Sequence, residues 1–184
     1  LHVGTYTSPH LEHLTERISR NGVPISEEAF AESVAAVADV EAISGVRPTY
    51  FEIMTASAFR HFADEAVDVA VIEVGMLGRW DATNVVQSQV AVITNIDLDH
   101  TEFAGPTLAD IAREKVGISK PSSTLVVGDV NDELNPIWSS APSRNLVRRI
   151  EHFDCIENEH AVGGRLLDVS TPRGVYRDVM VPLH

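Results

Sequence analysis

The chain is poor in several residue types, and each scarcity closes off a class of explanation. Cys155 is the only cysteine among 184 residues, so no intrachain disulfide can form and the cytoplasm is the expected location. No apolar run approaches the ~20 residues that span a bilayer, and no signal-peptide pattern is read at the start, so no membrane partner is expected. Basic residues are outnumbered, 14 against 27 acidic, for a formal net charge of -13. That balance disfavours nucleic acid, which calls for a basic stripe. It also sets up a tension with any anionic substrate, which would need local cations or a metal. Lysine occurs only as Lys115 and Lys120, so a mechanism that requires a lysine has two candidates. Neither sits in a G-x-x-x-x-G-K-[ST] phosphate loop: Lys115 follows Glu114, and Lys120 precedes Pro121.

What is present reads as alternating strands and helices. Strand-like runs occur at "LHVGTYT" (1–7), "DVAVI" (68–72), "SQVAVITNI" (88–96) and "STLVVGDV" (123–130). The second is apolar without alternation, the pattern of a strand buried on both faces. Helical patterns fall at 26–43, with Ser26 as N-cap, at 50–65, and at 107–118, where Thr107 and Asp110 make a capping box. Alternation of this kind implies βαβ units, hence an α/β fold with a mostly parallel sheet and helices on both faces. After about residue 150 short strand-like pieces, punctuated by Gly163-Gly164 and Pro172-Arg173-Gly174, read as antiparallel hairpins.

Ligands of such sheets gather beyond the carboxyl ends of the strands. Polar residues mark three of these ends: Ser8 and His10, then Glu73, then Asp97, Asp99 and His100. A hydroxyl, a carboxylate and an imidazole at neighbouring strand ends suit a hard divalent cation such as magnesium. Plainer readings stand beside this one. Glu73 is equally an ordinary strand-end residue facing water, His100 a structural histidine, and Lys115 an exposed helical lysine. Asp81 and Asn84 fit turn positions, and Trp80 is either core or a flat platform for an aromatic ring.

Five segments then occur in a telling order: "YTSPHLEHLTERIS" (6–19), "TYFE" (49–52), "IEVGMLGRWDATN" (72–84), "ITNIDLDH" (93–100) and "REKVGI" (113–118). Together they resemble the folylpolyglutamate synthase/dihydrofolate synthase family of the Mur ligase superfamily, closely over residues 1 to about 130. The resemblance implies ATP- and Mg2+-dependent ligation of L-glutamate to dihydropteroate, to (tetrahydro)folate or to both, through an acyl phosphate. It implies that Ser8, Glu73 and His100 bind the metal, that His100 and Lys115 serve catalysis, and that Lys115 is carbamylated. It also implies that Thr49, Tyr50, Phe51, Glu52, Trp80, Asp81 and Ala82 hold the pteridine substrate. The expected partners are therefore small molecules, and the expected state is a monomer.

The resemblance further implies a central ATPase and pterin-binding domain over 1–150 with a β-rich continuation over 151–184. It places a phosphate loop upstream of Leu1 and a C-terminal domain beyond His184, so the segment alone is expected to be inactive. One departure stands out: Leu77 occupies a position where the family usually has a second glycine. Leucine is an unlikely tenant of a strained turn, so Leu77 is expected to pack against the core or the pterin. Two rival readings remain, another Mur-type amide ligase with a different acceptor acid and a non-catalytic pterin-binding module.

Overall fold

The structure is a computed structural model that describes residues 1–99 and 101–182. The chain divides into two compact units, Leu1–Val86 and Gln87–His184.

The first unit is built on a mixed sheet. Strand β1 (Val3–Tyr6) turns through a short 3-10 helix (Leu14–Arg17) into β2 (Ile18–Arg20) and β3 (Val23–Pro24). Helices α1 (Glu27–Ser44) and α2 (Tyr50–Asp64) follow, and then β4 (Val69–Ile72). The strand order is β3-β2-β1-β4. β1 is parallel to β4, with Tyr6 opposite Ile72, and antiparallel to β2. The return from β2 to β3 turns on Asn21 and Gly22, with φ of 52° and 78°. An Asn-Gly pair between strands supplies the two positive φ values that a tight hairpin needs.

Helix α2 presents Met54, Ala58 and Phe62, spaced four residues apart, to a core that also holds Tyr6, Ile18 and Ile25. Gly4 makes this contact possible, because a Cβ there would lie 2.7 Å from the Phe62 ring. Ser26 caps α1 by accepting from the Ala29 amide, and Gly45 ends it in the left-handed region at φ 70°.

The second unit carries three parallel strands, β5 (Val90–Ile93), β6 (Thr124–Val127) and β7 (Asn145–Arg148), in the order β5-β6-β7. Helices α3 (Thr101–Ala104), α4 (Leu108–Lys115) and α5 (Asn135–Ser140) lie in the connections. Ile111, Leu125, Val127, Leu134 and Trp138 are almost wholly buried. A separate antiparallel sheet of β8 (Asp154–Ala161), β9 (Gly164–Thr171) and β10 (Gly174–Pro182) closes the chain.

The α/β class, the parallel pairing and the C-terminal hairpins follow the sequence reading. Two particulars differ. In the first unit the segment after β1 folds back as β2 and β3, so the sheet there is mixed and not parallel throughout. And β4, read as buried on both faces, is an edge strand whose Val69 and Val71 are 45% and 55% exposed. Only β1 pairs with it in this unit, so an unalternating apolar run does not guarantee burial.

Candidate functional site

The first unit gathers most of the singled-out residues at one end of its parallel strand pair. The β1–β4 ladder continues one step past Ile72, where the Glu73 amide donates to the Tyr6 carbonyl at 2.9 Å. That step turns the Glu73 side chain back toward the loop after β1, and the Ser8 amide donates to its Oε2 at 2.6 Å. A charge-assisted bond of this length fixes the carboxylate. Glu73 Oε1 has no hydrogen-bond partner among the described residues, and the residue is exposed. A hard oxygen donor with one atom open fits the preferences of magnesium.

The loop after Glu73 rests on α2. A Cβ at Gly75 would lie 2.3 Å from Cζ of Phe51, so only glycine allows the backbone this close to the ring. Asp81 closes the loop: its Oδ2 accepts from the Met76 amide at 2.9 Å, and its Oδ1 from the Thr83 amide at 2.9 Å and hydroxyl at 2.5 Å. Asn84 donates to the Arg79 carbonyl at 2.8 Å. Trp80 between them is 87% exposed, which sets aside the core reading. Ala82 opens the 3-10 helix that Asp81 caps.

Leu77 has φ of 59°. The expectation that it would avoid a left-handed conformation is thus overturned. The bonds from Met76 and Asn84 to the two ends of the loop impose the turn, and leucine bears the backbone cost that glycine would not.

The α2 N-terminus supplies the neighbouring wall. Thr49 and Glu52 form a reciprocal capping box: the Thr49 amide donates to Glu52 Oε2 at 2.6 Å, and the Glu52 amide to Thr49 Oγ1 at 3.3 Å. The Thr49 amide, foremost, holds the Glu52 carboxyl below the usual glutamate range. Both side chains are therefore engaged in ending the helix. Phe51 faces Tyr6 at a ring-centroid distance of 6.0 Å. Burial raises the Tyr6 phenol above its ordinary value, and its hydroxyl lies 3.3 Å from Thr55 Oγ1. Tyr50 is 56% exposed, with the Arg17 guanidinium over its ring.

Asp97, Asp99, His100 and Lys115 belong to the second unit. Lys115 ends α4 and is half-buried. The helix starts at the predicted capping box of Thr107 and Asp110. His100 lies outside the described residues. Among those described, no three His, Cys, Asp or Glu side chains gather as a metal site. Arg17 has no sequence signal that marks it, and Gly75 is legible as a turn glycine but not as a contact with Phe51.

Known proteins resemble this chain throughout its length. Residues 25–162 match the Mur ligase middle domain. The dihydrofolate synthase/folylpolyglutamate synthase of Mycobacterium tuberculosis is 39% identical, covering 98% of this chain and 41% of its own length. The protein of the same name from Bacillus subtilis is also 39% identical, over 98% of the chain and 44% of its own. Among solved structures, Mycobacterium tuberculosis folylpolyglutamate synthase complexed with ADP superposes with a TM-score of 0.86 at 40% identity, covering all of this chain and 44% of the other. This chain therefore spans less than half the length of the relatives it matches.

Proposed function

The chain belongs to the Mur ligase middle-domain family, and from that premise we propose that the protein carrying it ligates L-glutamate to dihydropteroate, (tetrahydro)folate or both. ATP serves as the phosphoryl donor and the acceptor carboxylate passes through an acyl phosphate. The relatives named above, and the ADP bound in one of them, support this reading. The observation that carries it is the Ser8–Glu73 contact at adjoining parallel strand ends, next to a glycine loop seated on Phe51.

In this reading Ser8, Glu73 and His100 would hold Mg2+, a cation that would supply charge neutralisation at the phosphates. The backbone bond from Ser8 holds Glu73 before any ligand arrives, so the carboxylate needs no reorganisation during the reaction. The pteridine lies along Thr49–Glu52 and Trp80–Ala82. There Phe51 supplies a ring edge, exposed Trp80 a stacking face, and Asp81 the closure of the loop. Lys115, once carbamylated, would supply negative charge for the metal, and His100 would serve catalysis. We assign residues 1–150 to the central domain and 151–184 to its β-rich continuation, and expect a cytoplasmic monomer. Among the described residues no helix is long and apolar enough to cross a membrane.

The test is glutamate incorporation by the full-length protein, supplied with ATP, Mg2+ and either dihydropteroate or tetrahydrofolate. Labelled product with stoichiometric ADP is expected for at least one pteridine. Absence of incorporation with both, from protein that binds ATP, would sink the reading and favour a different acceptor acid. Pteridine binding without any ATP turnover would instead favour the non-catalytic module.

A further inference from the structure

Arg17 is 8% exposed, yet among the described residues no carboxylate lies within ion-pair distance of it. Buried charges are normally paired, because leaving water without a partner is strongly unfavourable. The adjacent acid does not fill this role: Glu16 is spent on the amides of Leu11 and His13, at 2.9 Å and 2.7 Å. Arg17 is instead gripped from two sides. Its Nε donates to His10 Nδ1 at 2.9 Å, and its guanidinium carbon lies 5.6 Å from the centroid of the Tyr50 ring. That bond also sets the tautomer. Arginine Nε can only donate, so uncharged His10 carries its proton on Nε2.

The terminal guanidinium nitrogens and His10 Nε2 are thus all hydrogen-bond donors, with no acceptor among the described residues. A donor-only cluster around a buried, oriented guanidinium matches the two oxygens of a carboxylate or phosphate. Arg17 also joins the loop that carries Ser8 to the first turn of α2. We propose that Arg17, held by His10 and Tyr50, is a specificity-determining residue that receives a carboxylate of the acceptor acid. This rests on the folate-ligase reading above, which puts that acid beside Tyr50. A nucleotide phosphate is the competing source of the same chemistry.

The experiment compares unmodified full-length protein with Arg17→Gln. It measures equilibrium binding of dihydropteroate, of the analogue with hydrogen in place of the carboxylate, and of a non-hydrolysable ATP analogue, together with the melting temperature free of ligand. The substitution is expected to weaken dihydropteroate about tenfold or more, in keeping with a lost charge-assisted contact. The decarboxylated analogue and the nucleotide should bind as before. The melting temperature should stay or rise, since an unpaired buried charge has been removed. A lower melting temperature together with weakened nucleotide binding would overturn the proposal by showing that Arg17 only holds the surrounding loop in place. Equal weakening of both pteridines, or weakening of the nucleotide alone, would also overturn it. Unmodified protein that binds no pteridine would refute the folate reading itself, whereas binding that Arg17→Gln leaves unchanged would refute only the role of Arg17.

Discussion

The amide of Ser8 and the carboxylate of Glu73 lie 2.6 Å apart although 65 positions separate them in the chain. Their contact joins the ends of β1 and β4 and leaves the second carboxylate oxygen open. Glu73→Gln retains the shape and an acceptor for the Ser8 amide but removes the charge. It should lower kcat about a hundredfold or more, on the scale of losing one preorganised electrostatic contact. The melting temperature should fall little, since a neutral bond replaces a charge-assisted one. Near-normal turnover at saturating magnesium would show that Glu73 only caps the strand end.

Leu77→Gly tests the cost of a left-handed leucine at φ 59°. Glycine adopts this conformation freely, so the variant should gain up to about 1 kcal/mol, partly offset by the greater freedom of its unfolded chain. A rise in melting temperature or in the urea midpoint is expected. A fall would mean that the half-buried leucine side chain contributes more through packing than its backbone costs.

Gly75→Ala addresses the contact between the loop and α2. Its Cβ would fall 2.3 Å from Phe51 Cζ, so the ring or the loop must shift. Overpacking of this kind costs about 1–3 kcal/mol. Because Phe51 is assigned to the substrate pocket, KM for the pteridine should rise more than KM for ATP. An unchanged pteridine KM would remove Phe51 and its loop from the pocket.

Lys115→Ala in the full-length protein should lose most activity, with partial recovery on adding a small carboxylate such as acetate or formate. The basis is charge: an ammonium beside a divalent cation repels it, whereas a carbamate attracts it. Mass spectrometry or labelled-CO2 NMR of the unmodified protein reads the modification directly. Activity that survives the substitution would return Lys115 to the status of an ordinary helical lysine.

The capping carboxylates predict an acid-side loss of helix stability. The Thr49 amide lowers the Glu52 carboxyl, and the Thr107 hydroxyl lowers that of Asp110. A carboxyl lowered on folding contributes stability above its unfolded value and loses it as pH falls through the folded one. Each cap is therefore intact at neutral pH and is released below the ordinary carboxylate range. Glu52→Gln should flatten the acid limb of the stability–pH profile. An acid limb identical to that of the unmodified protein would mean the Glu52 cap contributes nothing to it.

By itself the sequence determined what short stretches of chain can settle. The caps at Ser26 and Thr107 and the turns at Gly163 and Gly174 lie where the residues say. Each depends on groups within a few positions, so local chemistry suffices. The Asn21-Gly22 hairpin is legible on the same grounds. Tertiary structure alone decided the pairing of β1 with β4, the antiparallel return of β2 and β3, and the left-handed turn at Leu77. It alone left Arg17 buried with no carboxylate beside it among the described residues and brought Ser8 to Glu73. Each of these depends on segments far apart in the chain, where an apolar pattern identifies a strand but carries neither its neighbour nor its register.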